Sequence, residues 1–159
     1  MKKLYILLSL LITSYSVISQ CRVQSSERPD GVTVRYMSAE RVGKADMLML
    51  ALSVQTNGTN YYVTTLSVFP NTSQDLTGKL TIEFTSNKSI ILEHISSNKT
   101  TFNGYPATVS IFEIGNRDLR LISTSYLKNI ILQLDSKVFQ TVPVTFNKEV
   151  LKKQYNCLN

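Results

Sequence analysis

The chain has no tryptophan, one histidine, two cysteines, four prolines and six glycines among its 159 residues. Each scarcity excludes something. One imidazole and two widely separated cysteines cannot build a His/Cys zinc site within one chain. Few glycines and prolines exclude long low-complexity or disordered stretches, and no internal repeat is present. The lack of tryptophan weighs against a stacked carbohydrate platform. No G-x-S-x-G elbow exists, so a nucleophile elbow of the α/β-hydrolase kind is excluded. Basic residues are scattered except at the C-terminus, and nucleic-acid binding needs a concentrated basic stripe with stacking aromatics.

What is present begins with the first 21 residues, MKKLYILLSLLITSYSVISQC. Lys2 and Lys3 precede an apolar segment, Leu4 to Ile12, and small residues follow at Ser14, Ser16 and Ser19. This is the layout of a secretory leader, 1–20, with an apolar run too short to span a bilayer comfortably. Export to the periplasm or the cell exterior is the expectation, with a single domain over 21–159. Removing the leader takes two of the seventeen basic residues and none of the eleven acidic ones, so the net charge falls from +6 to +4. In an oxidising compartment Cys21 and Cys157 are expected to form one disulfide closing nearly the whole mature chain. Acylation of Cys21 as a lipoprotein anchor is the alternative, disfavoured by Gln20 where a small residue is needed.

The mature segment reads as short β-branched and aromatic runs separated by turn residues. Strands are expected at 32–37, 47–54, 61–69, 80–84, 89–95, 108–114, 129–134 and, at a margin because of Pro143, 138–144. Asn57-Gly58 marks a hairpin turn. The 80–95 hairpin has two candidate registers, since either Ile90 and Leu92 or Ile91 and Ile95 suit the inner face. A polar loop is expected from Ser96 to Pro106. The run Asp118-Leu119-Arg120-Leu121-Ile122 reads as a short helical turn within 117–123. Phe146, Val150, Leu151 and Tyr155 have helical spacing, with Asn147 as cap, predicting a helix over 147–157 that carries Cys157 towards Cys21. The expected fold is a mainly β, antiparallel sandwich of seven to eight short strands with a late helix. An eight-stranded barrel with a C-terminal helix is the closest competitor.

Candidate chemistry is sparse. His94, at a strand end, reads as structural. Glu83 and Glu93 lie on adjacent strands of one hairpin, where a diagonal approach would suit glycoside chemistry, but solvated strand charges explain both. Tyr61 and Tyr62 must point to opposite faces. Tyr105, in Asn103-Gly104-Tyr105-Pro106, is the candidate ligand contact, with a packed loop anchor as the plainer alternative. Asn57, Asn71, Asn87 and Asn98 head Asn-x-Ser/Thr sequons, each in an expected turn or loop where such residues are favoured anyway. Lys148, Lys152 and Lys153 read as the wet face of the terminal helix.

The leader ending in Ser-Gln-Cys resembles those of exported Bacteroidota proteins. The order of parts, Cys21, the 47–69 hairpin, Leu80–Phe84, Asp118–Ile122, Ile130–Leu134 and Asn156-Cys157-Leu158, is similar to small secreted β-sandwich proteins of unknown function from that group. The resemblance implies export and this fold, and brings no activity, cofactor or catalytic residue. The functional expectation is a non-catalytic exported domain that contacts a protein or glycan at the cell envelope, with no cofactor, metal or nucleic acid. The alternatives are a ligand carrier with an apolar cavity lined by Met37, Met47 and Met49, and a hydrolase with a loop-built site.

Overall fold

The computed structural model describes residues 21–46, 48–135 and 137–159. The expected leader and Met47 lie outside the described residues. The elements are β1 (Gln24–Glu27), β2 (Thr33–Tyr36), β3 (Glu40–Ala45), β4 (Leu48–Thr56), β5 (Tyr61–Val68), β6 (Leu80–Phe84), β7 (Ser89–Phe102), β8 (Tyr105–Ile114), α1 (Leu119–Thr124), β9 (Leu127–Gln133), β10 (Phe139–Pro143) and α2 (Val150–Leu158). All strand pairings are antiparallel.

The mainly antiparallel β architecture with a short helix and a terminal helix is as expected, but among the described residues the strands number ten and belong to one sheet. The order is β1-β2-β4-β5-β8-β7-β6-β9-β10, with β3 also on β4. β7 joins the halves: Ser89 to Leu92 pair with β6, and Glu93 to Phe102 pair with β8. The register shifts between His94 and Ser96, an extra residue of the kind that bends a strand. Side chains from both halves, including Leu50, Leu52, Leu80, Ile82, Phe112 and Ile130, form one core cluster. The sheet stays open, yet its edges meet. Thr145 N and Phe146 N donate to Val42 O at 2.9 and 3.0 Å, and a Cβ at Gly43 would overlap Pro143 O. Glycine is required there by backbone approach, not by a turn.

The 80–95 hairpin resolves its ambiguity in favour of Ile90 and Leu92, which are buried, while Ile91 and Ile95 are 57% and 53% exposed. The expected polar loop over 96–106 is absent. β7 runs on to Phe102 and meets β8 through Asn103 and Gly104, with φ of 50° and 81°. Two successive positive φ angles make this the tight two-residue turn. At Asn57-Gly58 only Gly58 has positive φ, and four residues separate the paired Thr56 and Tyr61. Asn98, expected in a loop, therefore lies in β7.

Helix α2 starts at Val150, later than expected. Asn147 does not cap it; at φ 44° it donates from Nδ2 to Arg41 O at 2.9 Å and anchors the chain to β3. The helix buries Val150, Leu151, Gln154 and Leu158. Gln154 is fully buried. Its Oε1 accepts from Val54 N at 2.8 Å, and its Nε2 donates to Ser38 O at 2.9 Å. β3 covers β4 as far as Leu52, and β2 resumes the pairing at Gln55. The side-chain amide thus stands where a peptide unit of a neighbouring strand would, and it satisfies a backbone donor in the gap. Beside it, Cys21 and Cys157 are disulfide-bonded, with Cα atoms 5.5 Å apart across 136 positions.

Candidate functional site

Tyr105 sits at the tip of the β7–β8 hairpin. It pairs with Phe102 across the Asn103-Gly104 turn, and the two side chains are 57% and 39% exposed. The neck is tied down where Phe69 N donates to Pro106 O at 2.8 Å. Tyr105 therefore stands on a paired two-stranded support and not on a loop. Next to it lies an open groove of ≈ 290 Å³, with Leu48, Met49, Val68, Phe69 and Pro70 on its apolar side and Lys44 and Asp46 at its rim. Leu48 and Phe69 are also members of the core cluster, so the groove floor is rigid. An exposed phenol beside a rigid apolar floor suits contact with a partner that offers both a flat apolar surface and a hydrogen-bonding group.

His94 enters a polar network facing segment 70–79. Ser97 Oγ donates to Leu76 O at 3.0 Å, and it lies 2.8 Å from His94 Nε2 and 2.7 Å from Ser110 Oγ. A hydroxyl has one proton. A Ser97 proton directed at Leu76 O fits the arrangement in which His94 Nε2–H and the Ser110 hydroxyl donate to Ser97 Oγ. Nucleophilic catalysis requires the opposite polarity, with the serine proton directed at imidazole. The neighbouring Thr108 hydroxyl donates to Gln74 O at 2.6 Å. The network therefore fastens the backbone of segment 70–79 to the sheet, a structural use of His94, whose ring also packs edge-on against Phe112 at 5.5 Å.

The carboxylates do not converge as a glycoside pair. Glu83 pairs with Ser89, while Glu93, four residues further along β7, sits about 13 Å away along the strand. Glu83 accepts from Asn129 Nδ2 at 2.8 Å, and Glu93 is ion-paired with Lys79 at 2.8 Å. The carboxylate opposite Glu93 is Glu113 on β8, a neighbour that the expected loop assignment concealed. Both are exposed, and Lys79 offsets their repulsion. Among the described residues no group of three His, Cys, Asp or Glu could hold a metal ion.

The tyrosines separate as alternation requires. Tyr61 meets Tyr155 of α2 at 4.9 Å, whereas Tyr62 OH lies 3.4 Å from Asn57 Nδ2. Met37 is buried in the core cluster, and Met49 lines the Tyr105 groove, so these two do not share a cavity. Lys152 lies over the Tyr126 ring at 4.8 Å. Phe102 and the groove residues escaped the sequence reading because three separate segments assemble them. The Asn103-Gly104 pair was the one local signal that would have revealed the hairpin tip. Among the described residues no helix is long and apolar enough to cross a membrane. Comparison with protein-family models, with curated proteins and with solved structures finds no match.

Proposed function

We propose that this chain is an exported, non-catalytic β domain that acts by surface contact with a protein or glycan at the cell envelope, in the periplasm or outside the cell. The observation that carries the reading is Tyr105, 57% exposed, held at a hairpin tip beside an apolar groove whose floor belongs to the core. Exposed aromatics on rigid supports lose little side-chain freedom on binding and make effective anchors. Export rests on the leader pattern and on the resemblance to secreted Bacteroidota proteins. The Cys21–Cys157 disulfide suits an oxidising compartment.

Contact is favoured over carriage because the space between the two halves of the sheet holds Phe69, Phe84 and Phe112, each at most 2% exposed. It is favoured over hydrolysis because the His94–Ser97 contact is built into the network that ties Leu76 to the sheet. The test is affinity capture from the native envelope, with the wild-type chain and Tyr105→Ala compared side by side. Enrichment of a partner that disappears with Tyr105→Ala, at unchanged stability, supports the reading. Turnover of substrates from a hydrolase panel, with no specific partner recovered, overturns it.

A further inference from the structure

At the other end of β8, about 30 Å from Tyr105 by strand length, lies a second and larger cleft of ≈ 870 Å³. Three elements bring cations to it: Lys88 from the β6–β7 turn, Arg117 from the β8–α1 connection and Arg120 from α1. The ion pairs among the described residues are Arg28–Asp30, Lys79–Glu93 and Lys99–Asp75. None of the three cleft cations is paired, although Asp118 lines the same cleft. The hydroxyls of Ser86, Ser89 and Ser125 also line it. A smaller cleft of ≈ 160 Å³ shares Lys88 and Ser89 and adds Lys128. The only carboxylate there, Glu83, is engaged by Asn129.

We infer that this cleft binds an acidic polysaccharide through its carboxylate or sulfate groups. Two guanidinium forks match planar or tetrahedral oxyanions bidentately, and a lysine adds a mobile point charge. The unengaged hydroxyls suit the alternating hydroxyl and acid groups of such a chain. Single-stranded nucleic acid is the weaker match, because base recognition uses stacking rings and the apolar lining here is Ile90 and Leu121. This site is separate from the Tyr105 groove and stands or falls without it.

The experiment measures binding of the full disulfide-bonded chain to polygalacturonate and to dextran sulfate, with neutral dextran as the blank. Lys88→Gln, Arg117→Gln and Arg120→Gln are combined in one variant. A control variant combines Arg22→Gln, Lys137→Gln and Lys153→Gln, exposed positions outside both clefts, so both lose the same charge. The inference expects binding to at least one polyanion that weakens with salt. It expects the cleft variant to bind about tenfold or more weakly, and the control to stay within about threefold. Should the triple variant fold poorly, the single reversal Arg117→Glu serves, with Arg22→Glu as its control. Equal losses in cleft and control variants, no binding to either polyanion, or tighter binding to single-stranded DNA or anionic vesicles would overturn the inference.

Discussion

Replacing Gln154 isolates what one side-chain amide contributes to the β4 edge. Gln154→Met keeps the length and most of the volume but removes all three side-chain hydrogen bonds, to Val54 N, Ser38 O and Glu40 Oε1. Ser38 is exposed, so its carbonyl regains water at little cost. The amide of Val54, a fully buried residue, has no such recourse. Leaving a buried donor unpaired costs about 1–3 kcal/mol. Gln154→Met is therefore expected to lower unfolding stability by about 2 kcal/mol in urea titrations at unchanged slope. Gln154→Ala adds a cavity and should cost about 3–5 kcal/mol. Gln154→Glu retains the acceptor for Val54 but sets a buried carboxylate beside Glu40, whose Oε1 lies 3.3 Å from Gln154 Nε2. It should be worse than Gln154→Met. Hydrogen exchange gives an independent readout, since the Val54 amide should lose protection selectively in Gln154→Met. A Gln154→Met protein within about 0.5 kcal/mol of wild type, with Val54 still protected, would refute the surrogate-peptide role.

Three other perturbations test the fold. Reduction of Cys21–Cys157 should add about two mass units and lower stability by about 2–5 kcal/mol, given a chain-entropy limit of about 5 kcal/mol for so long a loop; a smaller loss in denaturant titrations would count against that model. Ile90→Ser should cost about 3 kcal/mol and Ile91→Ser under about 1 kcal/mol, and equal losses would contradict the register. Gly43→Ala should separate β3 from β10 and lower the melting temperature by several degrees, about 4–8 °C per kcal/mol lost at the smaller domain sizes and less at this length; an unchanged melting curve would mean the edges do not touch.

The elements legible in the sequence were those with a strong period or a covalent constraint. Leu80, Ile82 and Phe84 alternate with polar neighbours and form β6 as read. The 47–69 hairpin, the short helix after Asp118, the terminal helix and the Cys21–Cys157 pairing also correspond. What was missed shares one physical cause, polarity on both faces. β1 is Gln-Ser-Ser-Glu, exposed throughout, and is held by its pairing with β2 and by Gln24 Nε2 donating to Ser38 Oγ at 2.9 Å. β3 has one fully buried aliphatic side chain, Val42, and a glycine whose need appears only when Pro143 is placed against it. The second half of β7 is Ser-Ser-Asn-Lys-Thr-Thr, which has no apolar alternation; its inward Ser97 meets the Ser110 hydroxyl and the Leu76 carbonyl instead of an apolar core. Ser110, Thr108, Thr65 and Ser67 are all fully buried there, and no rule of apolar inner faces would have found them. The Tyr105 groove was illegible for a different reason, since its walls come from segments far apart in sequence.

The join between Val54 and Gln154 crosses 100 positions of chain, and this has a consequence for biogenesis. A polypeptide emerging from its N-terminus presents β4 long before α2 exists, so the gap between β2 and β3 stays an open template for stray strands until Val150–Leu158 is free. Helix α2 delivers the plug and, three residues later, the thiol of Cys157. Truncation within this helix should thus leave a chain that forms most of its ladders yet self-associates through one unguarded backbone edge.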